Sequence, residues 1–271
     1  MSSISEMDAN LDRAMASIIA HVKSAEAGNI RRPDKVYYVD SVAGGDGNDG
    51  RTEATALKTI RAALAKAYSG DTVKILLKHG GTYPVGGVYG SNRINGRYVL
   101  IASYGDQTQP KPIVRGYMDT YTPAGGTTSA AVNNAFAASM YAFINFHFCD
   151  IRTGVLPTGV PVYSPDFGGM ISREGGEGES SRFSASFNQC DITYEDANLI
   201  TGYYGSVEVT FNRCNIKKAG SATAILADLL PRVLDIRGNT ISGFGSTDLK
   251  TLFKLVDGSY IMRQSGNTIT A

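Results

Sequence analysis

The chain has no tryptophan, and only three cysteines and three histidines among its 271 residues. Three cysteines cannot all pair within one chain. No C-x-x-C or Cys/His grouping is present, so neither a disulfide framework nor a zinc site is expected. His21, His79 and His147 are scattered, which fits surface or structural roles. An excess of one charge is also missing: 26 basic residues face 25 acidic ones, a net +1, so nothing speaks for nucleic acid as a partner. No apolar run reaches the ~18 residues of a membrane span. The N-terminus lacks a basic start followed by an apolar block and carries Glu6, Asp8, Asp12 and Arg13 instead, so no secretory signal is expected. The nucleotide signature GxxxxGK[ST] and the elbow G-x-S-x-G are absent, and GFGST at 243–247 lacks the context of a dinucleotide site. DGNDG at 46–50 departs from the ligand spacing of a calcium loop and reads as a glycine-rich turn. No cofactor and no metal are expected.

What the chain does have is glycine (31), tyrosine (15) and short bursts of Val, Ile, Thr and Tyr, a composition that favours strands. Three regions separate. Residues 1–33 carry Ile4, Met7, Leu11, Met15, Ile18 and Val22 in steps of three and four, one helical stripe closed by Gly28 and Asn29. This α-helix is expected to serve oligomerisation or docking. Residues 34–83 open with the strand-like VYYVD and the turn-rich SVAGGDGNDGRT. TALKTIRAALAKAYSG follows, an amphipathic helix with Leu57, Ile60, Leu64 and Ala67 on one face and Gly70 as its stop. DTVKILLKHGGTY then alternates as a strand. Residues 84–271 are short strands and turns.

Within that third region a single phrase recurs: FHFCDIR at 146–152, FNQCDIT at 187–193 and FNRCNIK at 211–217, with IRGNTIS and QSGNTIT as later variants. Aligned on Ile151, Ile192, Ile216, Ile241 and Ile269, the steps are 41, 24, 25 and 28 residues. A step in the twenties with three apolar runs per unit is one turn of a parallel β-helix of about 25-residue turns, and the longer step holds an insertion. Strand alternation then turns Cys149, Cys190, Cys214, Asn239 and Asn267 inward as a structural ladder. An inward Asn can bond the backbone of its turn, and Cys serves as a small buried hydrophobe. Disulfides along this column are not expected, because side chains in register seldom meet the required torsion. Asp150, Asp191, Asn215, Thr240 and Thr268 point outward.

These phrases resemble right-handed parallel β-helix proteins of the pectin-lyase-like fold. YYVDSVAGGDGNDGRTEATALKTIRAAL is similar to the segment that leads into the capping helix of such proteins. The fold expected is therefore all-β: a single-stranded right-handed parallel β-helix with an N-terminal capping helix, preceded by an α-helix. An N-terminal helix before a short β-helix looks like bacteriophage tail proteins of the tailspike, tail-fibre and receptor-binding type. That resemblance implies a homotrimer in the virion. Residues 1–33 and the C-terminal end, where SGNTITA stops inside a repeat phrase, would contact other tail or baseplate proteins.

For chemistry, the outward acids Asp150, Asp191, Glu195 and Asp196 are the candidate carboxylates of a glycoside hydrolase, which needs two at ~5 Å or ~6.5–9.5 Å. Lyase chemistry would draw on cations such as Arg182, Arg213, Lys217, Lys218 and Arg237. Tyr194, Tyr203 and Tyr204 are candidates for sugar contact, with packing at a subunit interface, where Tyr is enriched, the reading preferred over it. The reading that results is a phage tail structural and host-attachment protein, binding a host-surface glycan or serving as platform for another tail protein. The alternative is a polysaccharide depolymerase acting on capsule or lipopolysaccharide.

Overall fold

In the computed structural model of the chain, the residues described are 35–68, 70–87, 92–94, 97–122, 129–131, 135–138, 142–160, 169–173, 182–202, 206–221, 226–227, 231–253, 255 and 260–271. The helix expected over residues 1–33 lies outside them. Three parallel sheets wind around one core. The first, in spatial order, contains β1 (Lys35–Val39), β2 (Thr72–Lys78), β5 (Tyr98–Tyr104), β10 (Ala142–His147), β13 (Arg182–Asn188), β16 (Ser206–Asn212), β19 (Pro231–Arg237) and β21 (Ile261–Ser265). The second runs through β3 (Thr82–Val85), β6 (Ile113–Gly116), β11 (Asp150–Arg152), β14 (Asp191–Tyr194), β17 (Asn215–Lys218), β20 (Thr240–Ser242) and β22 (Thr268–Thr270). The third holds β4 (Asn92–Arg93), β9 (Phe136–Ala138), β12 (Ile171–Arg173), β15 (Ile200–Gly202) and β18 (Leu226–Ala227). A strand from each sheet in turn makes one coil of an all-β parallel β-helix. The antiparallel pair β7 (Asp119–Tyr121) and β8 (Ser129–Ala131) is inserted in the second coil.

The register is the one the repeated phrase implies. Ile151 pairs with Ile192, Ile192 with Ile216, Ile216 with Ile241 and Ile241 with Ile269. The 41-residue step is a single coil, and a stretch of its expected insertion, Ile171–Arg173, is itself the strand β12. Two further coils precede these: Val114 pairs with Ile151, and Tyr83 with Val114.

Inside, strand alternation stacks like on like. Phe146, Phe187 and Phe211 lie one per coil with ring centroids 5.4 and 5.0 Å apart and planes within 3° and 11° of parallel. Phe253 of α2 (Leu249–Phe253) meets the end of this stack at 6.0 Å. The other helix, α1 (Ile60–Ala65), packs on the strands of the first coil, burying Ile60, Ala63 and Leu64. The predicted face of Leu57, Ile60, Leu64 and Ala67 is buried as expected, but the helix is shorter than the pattern. Leu57 spends its backbone on the sheet, bonding Tyr38 and Asp40, and Thr59 caps the helix by accepting from Ala62 N. Lys66 ends it, ahead of Gly70. The glycine-rich turn is held by its acids: Asp46 accepts from Lys58 N and Thr59 N, and Asp49 from Arg51 N and Thr55 Oγ1.

Asp40, 5% exposed, closes the first coil by accepting from Val42 N and Ala43 N and pairing with Lys78 at 2.7 Å. Burial pushes its carboxyl pKa up, but Lys78 and the two amides outweigh burial and hold it below the ordinary 3.8. A depressed folded pKa means that this stabilisation is present above the unfolded value and lost as pH falls through the folded one. The contribution of Asp40 to stability should therefore fall away as the pH drops below 3.8. Asp40→Asn should unfold more easily at neutral pH and lose less on acidification. Urea midpoints across pH check this, and parallel pH profiles for the two proteins would contradict it.

From the third coil on, the corner between the first and second sheets is two residues long. Its first residue is left-handed: Phe148 (φ 58), Gln189 (54), Arg213 (54), Gly238 (63) and Gly266 (61). Its second is the ladder residue. A Cβ on Gly238 would meet nothing nearer than Arg213 Cγ at 3.5 Å, so the cost of a side chain there is conformational. Gly238→Ala should lower stability by about 1 kcal/mol, and Arg213→Gly should not lower it. Urea unfolding of the pair decides it, and a neutral Gly238→Ala would contradict the left-handed corner.

Candidate functional site

The ladder residues show what the cysteines do. Cys149, Cys190, Cys214 and Asn239 are buried and the three thiols are free. Asn239 Oδ1 accepts from Cys214 N at 2.8 Å, and its Nδ2 donates to Phe211 O at 2.9 Å and to Asn267 Oδ1 at 3.0 Å. Asn267 repeats this one coil later, accepting from Asn239 N and donating to Ile236 O. Cys214 Sγ points at Phe187 O at 3.3 Å, the corresponding carbonyl one coil earlier. Burial pushes the Cys149 thiol up to about 12 and raises that of Cys190 as well, so both stay protonated and unreactive.

The outward column of the second sheet brings the candidate carboxylates together. Asp150 and Asp191 are direct neighbours in register, at a strand spacing of ~4.8 Å. They line a surface concavity of ≈ 360 Å³ with Arg152, Thr193, Glu195 and Lys217. Each acid there has a partner. Asp150 pairs with Arg152 at 2.9 Å, Asp191 with Lys111 at 2.9 Å, and Glu195 with Arg115 at 3.1 Å. Lys111 also donates to Gln189 O and lies 4.6 Å over the Phe148 ring. Glu195 and Asp196 further serve as staples between loops of successive coils. Glu195 accepts from Gly154 N, and Asp196 from Leu156 N, Ser221 N and Ser221 Oγ. Burial works against the Asp196 carboxylate, but these donors outweigh it and hold its pKa below the ordinary value. Gly220 sits so close to the Glu195 backbone and the Asp196 carboxylate that a Cβ has no room.

The aromatic candidates fare differently. Tyr194 is fully buried, edge-on to Phe244 with ring centroids 5.5 Å apart, so it offers no face to a sugar. The physical reason is the strand period: Tyr194 is two residues after Ile192 and shares its inward face. Tyr203 and Tyr204 lie outside the described residues, as does the side chain of Arg182. Among the described residues no group of His, Cys, Asp or Glu is placed to hold a metal ion, and no helix is long and apolar enough to cross a membrane.

A second surface went unread in the sequence. On the outer face of the first sheet, a concavity of ≈ 410 Å³ is lined by Tyr98, Leu100, Asn145, His147, Asn188 and Asn212, with Gln189 and Arg213 from the corners. Asn145 donates to Tyr98 Oη at 2.6 Å and accepts from Ser186 Oγ. His147 Nε2 contacts Gln189 Oε1 at 3.1 Å, and Asn212 Nδ2 donates to Asn188 Oδ1 at 3.3 Å. The Tyr98 and Phe143 rings stack at 6.1 Å. No carboxylate lines this surface among the described residues.

No family model and no curated protein matches the chain. Among solved structures it is similar to two crystal structures of GH136 lacto-N-biosidase from Eubacterium ramulus. For the selenomethionine derivative the identity is 14% and the TM-score 0.36, covering 98% of this chain and 46% of that one. For the native protein the identity is 13% and the TM-score 0.33, covering 86% and 41%. The chain thus spans less than half the length of these enzymes.

Proposed function

We propose that this chain is a structural and attachment protein of the bacteriophage-tail type, whose β-helix holds a host-surface glycan without cleaving it. One observation carries the reading: the outward carboxylates are engaged by a cation or by backbone donors of a neighbouring coil, which makes them members of the scaffold. A general acid has to reach the glycosidic oxygen of its substrate, and a carboxylate turned to an Arg or Lys, or stapled to the loop of a neighbouring coil, is already committed elsewhere. In the same proposal the chain is a virion component and a homotrimer, as the sequence resemblance implies. Residues 1–33 and the C-terminal coil meet other tail proteins. Light scattering on the purified chain and its binding to immobilised capsule and lipopolysaccharide test this together. A trimer that binds at least one of these glycans is expected, and a monomer that binds none would overturn it.

A depolymerase is the second reading, favoured by the in-register placement of Asp150 and Asp191 on adjacent strands, whose backbones lie one strand spacing of ~4.8 Å apart. It requires release of sugar from the bound glycan, and loss of that release in Asp191→Asn. The Lys111–Asp191 pair is partly exposed and contributes no more than about 1 kcal/mol, so this variant should remain folded.

A further inference from the structure

We infer that the outer face of the first sheet, around Asn188 and Asn212, is the glycan site, and that its ligand is a neutral, linear oligosaccharide laid across consecutive coils. The inference rests on the attachment reading and gives it a place and a chemistry. The lining comes from four neighbouring strands, β5, β10, β13 and β16, a span of three strand spacings or ~14 Å. Its polar groups are mainly amides. Each amide both donates and accepts, as a sugar hydroxyl does, so an array of them suits a polyhydroxylated ligand. Asn188 and Asn212 are register neighbours and present the same group once per coil. Only a ligand that is itself a chain meets both in the same way.

Charge narrows the class. Arg213 is the single fixed cation among the described residues of the lining, and no carboxylate of that lining stands beside it. In the next coil, Arg237 is already held by Asp235 at 2.7 and 2.8 Å. A polyanionic glycan would find one cation for a row of carboxylates, whereas a neutral one needs none. The aromatic pair Tyr98 and Phe143 supplies an apolar face at one end, with Phe143 36% exposed. The bonds between Asn145 and Tyr98, His147 and Gln189, and Asn188 and Asn212 fix these side chains before the ligand arrives, which lowers the ordering cost of binding.

The test uses the full chain and an array of neutral and uronate-containing oligosaccharides of graded length. Expected is binding to neutral members, with affinity rising until a chain spans ~14 Å and then levelling. Asn188→Ala combined with Asn212→Ala should weaken binding at least about tenfold, as should Phe143→Ser, with circular dichroism unchanged. If glycans bind but both variants bind as well as the parent, or uronates bind better, the site and class assigned here are wrong while the attachment reading stands. If no glycan binds, or bound chains emerge shortened, the attachment reading falls and this inference with it.

Discussion

Phe187→Ala should lower the free energy of unfolding by about 4 kcal/mol, the largest effect expected of any single core substitution here. The ring is fully buried at the centre of a three-ring stack, with Phe146 on one side at 5.4 Å and Phe211 on the other at 5.0 Å. Truncation removes the buried ring area and opens a cavity that the flanking strands cannot close, since both are fixed by their ladders. It also ends two stacked contacts, each of which adds about 1 kcal/mol beyond area burial. Phe187→Leu keeps most of the volume and should cost less than half as much. Urea denaturation of the two variants gives both numbers, and equal losses would show that the stacked contacts, which both variants lose, outweigh the cavity that only alanine opens.

Asn239→Ala should cost about 3 kcal/mol, for a different reason. No large apolar area is lost. Instead, the buried Cys214 N–H loses its acceptor and the Phe211 carbonyl its Nδ2 donor, and each orphaned buried group costs about 1–3 kcal/mol. Asn239→Cys separates the two. Cys214 already occupies the same column and directs its thiol at the matching carbonyl, so a cysteine at 239 can serve Phe211 O while leaving Cys214 N–H unserved. Its loss should fall between zero and that of alanine. Urea unfolding of both variants tests this, and a cysteine variant as weak as alanine would mean that the thiol contributes nothing to the corner.

How much of this could be read from the sequence follows from which forces are local. The five-isoleucine column and the inward ladder were legible because strand period and coil length are both written in the repeated phrase. The two earlier coils were hidden: Tyr83 and Val114 take the isoleucine position, and the corners before them lack the Cys or Asn signature. Tyr194 is no sugar contact, and the period-two rule that places Ile192 inward applies to it as well. The outward acids were legible, but not their partners, since Lys111 and Asp191 lie in different coils and meet only through the winding. The amide-lined surface was half visible, as the second letter of FNQC and FNRC. His147, Gln189 and Arg213 stand in the same recurring phrase, whereas Tyr98, Leu100 and Asn145 join them only through the winding, and no local pattern announces those three.

Whether a bound glycan survives contact with the protein decides between scaffold and active site. The direct measurement is the molar mass distribution of a surface polysaccharide that the chain binds, taken by light scattering before and after prolonged incubation with the parent protein and with Asp191→Asn. Carboxylates that act as scaffold predict the same distribution in both samples, before and after. A distribution that shortens with the parent protein and stays unchanged with Asp191→Asn would contradict the account and make the outward column of the second sheet an active site.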